Sequence, residues 1–369
     1  MLFFVFVLGF TLVGVIAFHN ITPEATWGHI NAIDDEWLNV FMRWDGLHYS
    51  NIAAQGYGEF NSFNYAFFPL YPILINLLNR LTNVGYFQSA IYISRVAFFI
   101  FIIILYNTVK KRHDSKRALY TVISASLFPG AFFYIAPYTE SLFVLLALVT
   151  FLSCEKERWL CASICVMFAC SLKFLGVILI PIVIIEYLHK YRRIYPNFLF
   201  FLLMPLGLGG YMYFLYQETG NALYFSFCET AYSRFKALPP LPLIKSVKNL
   251  ITAIKSQAYT AASDFILFKN YLMETVFSIT NIICIIFSYK KIERKYFLYC
   301  ILAFIIPFST FVGAEGLSGM IRYSLALFPL FFMFGEWFET RWFRWTYSLL
   351  GISLNIFLMS LYAAWYWVA

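Results

Sequence analysis

Long apolar runs recur along this chain, with only short polar stretches between them. A helix needs about 20 mostly apolar residues to cross a bilayer. Runs near that length fall at Leu2–Phe18, Tyr86–Tyr106, Leu119–Ala136, Ser141–Ser153, Trp159–Leu172, Leu175–Leu188, Tyr195–Tyr216, Ile266–Ser288, Tyr296–Val312, Ile321–Phe338 and Trp345–Trp367. The pattern predicts an all-α polytopic membrane protein with about eleven transmembrane helices. It reads as a single membrane domain over residues 1–369. Composition agrees, with 61% of residues hydrophobic and 12% charged and a mean hydropathy of +0.71. A soluble domain has about 45–50% apolar and 25% charged residues. The first run lacks a basic n-region and an A-x-A site, so it reads as a retained helix rather than a cleaved signal.

Orientation follows from the basic residues. They cluster at Lys110–Arg112 with Lys116 and Arg117, at Lys156 with Arg158, at Lys190 with Arg192 and Arg193, at Lys290–Lys295, and at Arg341 with Arg344. Placing all five on the cytoplasmic side satisfies the positive-inside rule. The net charge of +8 is then a topology signal and does not call for a nucleic-acid partner. The opposite side receives the loop 19–85, a turn near Glu140, Lys173, the loop 217–265 and the stretch before Arg322. The loop 217–265 opposes the rule, because it holds Arg234, Lys236, Lys245, Lys248 and Lys255. Ala66–Leu81 is apolar but contains Pro69 and Pro72. A crossing there would invert the charge pattern, so it reads as re-entrant or interfacial. Of the seven cysteines, six lie within or at the ends of apolar spans and none forms a C-x-x-C pair, so they read as small hydrophobes.

The first outer loop is the most informative stretch. Asp34–Glu36 suit a helix N-terminus. Trp37, Phe41, Trp44 and Ile52 follow at roughly helical spacing, predicting a pair of amphipathic helices on the membrane surface. Arg43, Asp45 and His48 lie against that stripe. An interfacial carboxylate such as Asp45 can act as a general base, and cations such as Arg322, Lys173 and Arg43 can offset a departing phosphate. Arg95 lies inside a span, where a charge is costly and suggests function. Each has a plainer reading too. Asp45 could cap a helix, Arg95 could serve a structural ion pair, and Lys173 and Arg322 could snorkel from helix ends. Glu140 stands alone at a tight outer turn, and Arg322–Tyr323 opens the tenth span.

Four patches together resemble the PIG-V family of mannosyltransferases. They are Arg43-Trp44-Asp45-Gly46-Leu47-His48-Tyr49 followed by Ile52-Ala53 and Gly56-Tyr57; Ala66-Phe67-Phe68-Pro69-Leu70-Tyr71-Pro72; Tyr138-Thr139-Glu140-Ser141-Leu142-Phe143; and Met320-Ile321-Arg322-Tyr323 with Phe328-Pro329-Leu330-Phe331. The resemblance implies a GT-C glycosyltransferase-like fold. It implies transfer of mannose from a polyprenyl (dolichyl-type) phosphate donor to a lipid-linked glycan or other hydroxyl acceptor on the non-cytoplasmic side. Asp45 matches the family's acidic residue of the first loop, and His48, Glu140 and Arg322 match its other polar motif positions. Lys173 stands where the family has Arg, and Gly319 where it favours Ser. The chain is similar in length to the shorter prokaryotic relatives, so the membrane is either a bacterial cytoplasmic membrane or that of the endoplasmic reticulum.

The resulting expectation is an inverting transfer with Asp45, His48 and Glu140 as catalytic residues. Arg43, Arg95, Lys173, Arg322 and Tyr323 would serve donor phosphate or substrate. The first outer loop holds no Asp-x-Asp pair, so no obligatory metal is expected, and no cofactor. The bilayer is a partner, and a small membrane subunit remains open as another. The rival from a different class is a lipid or sugar transporter or scramblase, to which intramembrane charges and a re-entrant segment also belong.

Overall fold

The computed structural model describes residues 1–22, 33–58, 63–257, 262–313 and 316–368. The protein is an all-α polytopic membrane protein. The chain starts with α1 (Leu2–Asn20), followed by the short α2 (Glu36–Asn39), α3 (Asp45–Gln55), α4 (Leu70–Thr82) and α5 (Tyr86–Arg112). Next come α6 (Ser115–Leu127), α7 (Glu140–Glu155), α8 (Trp159–Leu172), α9 (Leu179–Tyr191), α10 (Leu206–Thr219) and α11 (Tyr224–Ala231). Strand β1 (Arg234–Lys236) precedes α12 (Leu241–Lys255), α13 (Ala262–Ser288) and α14 (Arg294–Phe308). Strand β2 (Thr310–Val312), α15 (Met320–Ser324), α16 (Leu330–Trp337) and α17 (Arg341–Ala363) complete the order.

Among the described residues, six helical stretches are long and apolar enough to cross a membrane by themselves: Leu2–Asn20, Tyr86–Arg112, Phe174–Tyr191, Pro196–Thr219, Phe268–Ser288 and Arg341–Ala363. The other expected crossings are shorter or broken helices. The run expected at Leu119–Ala136 stops at Leu127, because Phe128 precedes Pro129 and adopts ψ 135°. Gly130 then turns with φ +84°. The Asn355 amide of α17 donates to the carbonyls of Leu127 and Phe128 and accepts the Gly130 N–H. The expected span Ile321–Phe338 divides into α15 and α16, with Pro329 at the start of the second piece. The last residues of the expected span Tyr296–Val312 form a strand, β2.

Helices approach closely where a glycine removes the obstacle. A Cβ at Gly207 would stand 1.9 Å from the Met167 carbonyl oxygen of α8. A Cβ at Gly335 would stand 2.1 Å from Thr121 Oγ1 of α6. Small residues serve this purpose where two helix backbones meet in lipid.

The two ends of the bundle differ in chemistry. At one end, Arg112 pairs with Glu155 and Glu293, and Lys295 joins the same two carboxylates at 2.7 and 2.9 Å. Glu336 binds Arg117 at 2.8 Å and Lys291 at 2.5 Å. Lys190 pairs with Glu157 at 2.9 Å, and Arg344 donates to Tyr120 Oη at 2.5 Å. Residues from all five basic clusters therefore sit at helix ends that are tied together or continuous with one another. Glu140 begins the 16-residue α7 and Glu155 ends it, so the two lie about 22 Å apart at 1.5 Å per residue.

The described part of the loop 217–265 that follows α10 belongs to the opposite end. β1 pairs antiparallel with β2, Arg234 facing Val312 and Lys236 facing Thr310. Since α14 starts at the basic end with Arg294, its far end and this ribbon lie away from it. Two of the charges that opposed the positive-inside rule have local partners there: Arg234 donates to Tyr323 Oη at 2.7 Å and Lys245 to the Gly313 carbonyl at 3.1 Å.

One expectation for the first outer loop changes. Phe41 and Ile52 are buried inside the protein, although Trp37 is exposed, so the apolar stripe faces the protein core and not lipid. Ala66–Leu81 resolves into a short 3-10 turn at Asn64–Ala66 and the 13-residue α4. At about 20 Å that helix is too short to cross.

Single cysteines test this two-ended arrangement. In sealed vesicles, Ser115→Cys and Leu238→Cys should react with an impermeant thiol reagent from opposite sides, above the signal of the native cysteines. Labelling of both from one side would refute it.

Candidate active site

Asp45 owes its position to a break in the chain. α2 ends at Asn39 and α3 starts at Asp45. Between them Trp44 takes φ 52° and ψ −119°, a conformation that costs a non-glycine residue on the order of 1–3 kcal/mol. The Trp365 and Trp367 rings meet Trp44 edge-on, at 5.9 and 5.3 Å between centroids. The kink turns the helix start, and Asp45 with it, toward α15.

Arg322 of α15 donates from Nη1 to Asp45 Oδ2 at 2.5 Å. Its Nε lies 3.6 Å from Glu140 Oε1, the first residue of α7. That oxygen also accepts from Lys173 Nζ at 2.9 Å, just past the end of α8. Side-chain exposure is 21% for Asp45, 9% for Arg322, 5% for Glu140 and 17% for Lys173. The Arg322 guanidinium also lies 5.4 Å from the ring centroids of both Tyr138 and Tyr323. Four elements distant in sequence thus deliver two carboxylates and two cations to one point.

An open cavity of about 760 Å³ adjoins this cluster, walled by Trp44, Asp45, His48, Tyr232, Arg322 and Tyr323 among others. His48 follows Asp45 by one helical turn. Its Nδ1 lies 2.8 Å from Asn64 Oδ1, and its ring stacks on Phe67 at 4.8 Å. Glu229 and Arg234 reach the same cavity from the loop 217–265. Burial lifts the Glu229 carboxyl above the usual carboxylate range, against the opposing pull of Arg234 and Lys236. Burial, with the Asp45 charge adding to it, pushes the Tyr232 phenol up to about 12.

The structure brings together Asp45, His48, Glu140, Lys173, Arg322 and Tyr323. It does not bring Arg43 or Arg95 to them. Arg43 is fully enclosed. It donates from Nε to the Ala363 carbonyl at 3.0 Å and from Nη1 to the carbonyls of Asn39 and Met42 at 2.6 and 3.1 Å. The Trp365 ring covers it at 4.6 Å. These bonds tie the first loop to the end of α17, so the guanidinium has no path to a phosphate beside Asp45. Arg95 lies over the Phe41 ring at 5.0 Å, outside the cavity wall.

Sequence reading missed Arg234, Glu229 and Tyr232, because nothing in the loop 217–265 resembled a motif. It also missed Glu274 of α13. This buried carboxylate accepts the N–H groups of Gly319 and Met320 at 2.9 and 2.8 Å. It therefore satisfies the start of α15 and fixes the helix that carries Arg322. Among the described residues no group of three or more His, Cys, Asp or Glu could hold a metal ion.

If Arg43 is a structural tie, Arg43→Gln should lower the melting temperature of the purified protein. Leaving a buried polar group unpaired costs about 1–3 kcal/mol. An unchanged melting temperature with weaker donor binding would place Arg43 at the substrate instead.

The chain and its fold have known counterparts. The family model described as mannosyltransferase (PIG-V) matches residues 12–278. No curated protein matches the chain significantly in sequence. The crystal structure of ArnT from Cupriavidus metallidurans bound to undecaprenyl phosphate is similar, with a TM-score of 0.53 and 10% identity over 95% of this chain. The apo state of that protein gives a TM-score of 0.50 with 11% identity over 95% of this chain. This chain spans 62% of the ArnT chain in each case. The likeness shows the GT-C fold. By its family model, which matches more than half of its residues, the chain belongs to the mannosyltransferase (PIG-V) family.

Proposed function

We propose that this protein transfers mannose from a polyprenyl phosphate to a hydroxyl of a lipid-linked or other acceptor, on the membrane face opposite the basic ends. The observation that carries the reading is the Asp45 carboxylate, held by Arg322 at the wall of a large open cavity. Family membership supports the sugar, and the undecaprenyl phosphate bound by the similarly folded ArnT supports the donor class. The membrane would be a bacterial cytoplasmic membrane or that of the endoplasmic reticulum.

Inversion needs the nucleophile and the leaving group on opposite sides of the anomeric carbon. Asp45 would accept the acceptor's proton as the new C–O bond forms. The phosphate would leave with the electron pair of the broken C–O bond. It is a stable anion, so no strong general acid is required. Arg322 and Lys173 would meet its charge. Arg322 has five N–H donors, and only one is given to Asp45 at hydrogen-bonding distance in this structure, so donors remain for phosphate oxygens. His48 would orient the sugar or acceptor one turn along the same helix. Glu140 would hold Lys173 and Arg322 in place.

Purified protein in detergent, given radiolabelled polyprenyl-phosphate mannose and a membrane-lipid acceptor extract, tests the chemistry. Asp45→Asn should lower transfer by about 10²–10⁴-fold, the usual range for general-base assistance. Asparagine caps helices about as well as aspartate, so near-normal transfer would reduce Asp45 to a structural role. In the same assay, Arg322→Lys should transfer more slowly while remaining monodisperse, because it keeps the charge but loses the planar fork. Full activity in Arg322→Gln would move the phosphate-binding role elsewhere.

A further inference from the structure

A second open cavity, of about 670 Å³, lies beside the first. The two share Tyr49, Ala66, Glu229, Arg234 and Tyr323 in their walls. Their charge differs. The wall of the cavity at Asp45 holds Arg234 and Arg322 against Asp45 and Glu229. The second wall holds Lys173, Arg234 and Lys236 against Glu229 alone. The first balances its charges, and the second carries an excess of cations.

The second cavity is also walled by apolar side chains. Phe174 and Ile305 contribute to it and are themselves exposed. A cavity that is cationic inside and opens past exposed apolar side chains suits an anion carried on a hydrocarbon tail. We propose that this second cavity seats the donor's lipid phosphate, held in the resting complex by Arg234, Lys236 and Lys173, with Arg322 of the first cavity meeting its charge across the shared strip at Tyr323 as the phosphate leaves, and with the prenyl tail running out past Phe174 and Ile305. The inference rests on the donor reading above and assigns the ribbon residues Arg234 and Lys236 a part in it.

The geometry suits a displacement. A sugar linked to a phosphate in the second cavity would extend across the shared strip at Tyr49 and Tyr323 into the first. Its anomeric carbon would then lie between the phosphate and Asp45. Lys173 would face the phosphate while its Glu140 contact uses one of three N–H donors. Arg234 is braced by the Tyr323 hydroxyl, so its guanidinium is positioned before any ligand arrives.

Equilibrium binding of undecaprenyl phosphate, undecaprenol and inorganic phosphate to the full chain in detergent tests the assignment. The wild type should bind undecaprenyl phosphate well above both undecaprenol and inorganic phosphate, since the site uses charge and tail together. Arg234→Gln and Lys236→Gln should each weaken undecaprenyl phosphate about tenfold and leave undecaprenol unchanged. The double variant Lys248→Gln with Lys255→Gln, which removes two exposed charges from the same loop outside both cavities, should bind like the wild type. Lys236 is exposed on a short strand, so its variant keeps the test alive if Arg234→Gln fails to fold. Wild-type affinity in the Lys236 variant and in any folded Arg234 variant would overturn this assignment and leave the donor reading intact. A wild type that does not prefer undecaprenyl phosphate over undecaprenol would overturn both. Inorganic phosphate binding as tightly as the lipid would refute the tail path.

Discussion

Two carboxylates and two cations meet where none of them could be left alone. Asp45, Glu140, Lys173 and Arg322 are mostly withdrawn from water, and desolvating an ion costs several kcal/mol that only an opposite charge can offset. The cluster therefore constrains four elements at once. α3 has to begin at Asp45, α7 at Glu140, α8 has to end before Lys173, and α15 has to lie across all three. The strained turn at Trp44 and the Glu274 cap under α15 make sense as conditions for that meeting. A charge set that holds a fold together is also poised for chemistry, because a phosphate entering beside Arg322 or Lys173 would compete with the carboxylates for the same donors.

Much of this was legible in the sequence because charge and hydropathy act locally. The apolar runs and the basic clusters between them divided the chain into two ends, and the ion pairs of Arg112, Lys295 and Glu336 gather those clusters as the charge rule required. The short motifs likewise pointed to Asp45, His48, Glu140, Lys173 and Arg322, which the fold brings together. The failures have physical causes. Hydropathy carried the third apolar run through Pro129-Gly130, where the backbone cannot stay helical. It did the same at Pro329. Arg43 was grouped with Asp45 because the two are close in sequence. The break between α2 and α3 turns their side chains in different directions, and the loss of helical phase cannot be seen in a spacing rule.

The ribbon β1–β2 was illegible for another reason. Its strands are three residues each and lie far apart in the chain, one in the loop 217–265 and the other after α14. Neither has enough alternation to read as a strand, and each is stable only against the other. The ribbon changes the meaning of the charges it carries. Arg234 and Lys236 looked like an exception to topology. With Tyr323 beside Arg234 they are better understood as cations placed where an anion would have use for them.

The tie between Arg43 and the Ala363 carbonyl spans 320 residues. A ribosome adding about 5–20 residues per second needs roughly 15–60 s to cover that interval. Through that time the first outer loop has been made while the helix that receives its guanidinium is still missing. The packing around the kink at Trp44 and the burial of Arg43 must therefore wait until α17 and the residues just after it have been made. A chain stalled before α17 would lack the backbone tie and the Trp365 cover that set the turn ahead of Asp45. The same contact that shapes the site thus makes its assembly wait for α17.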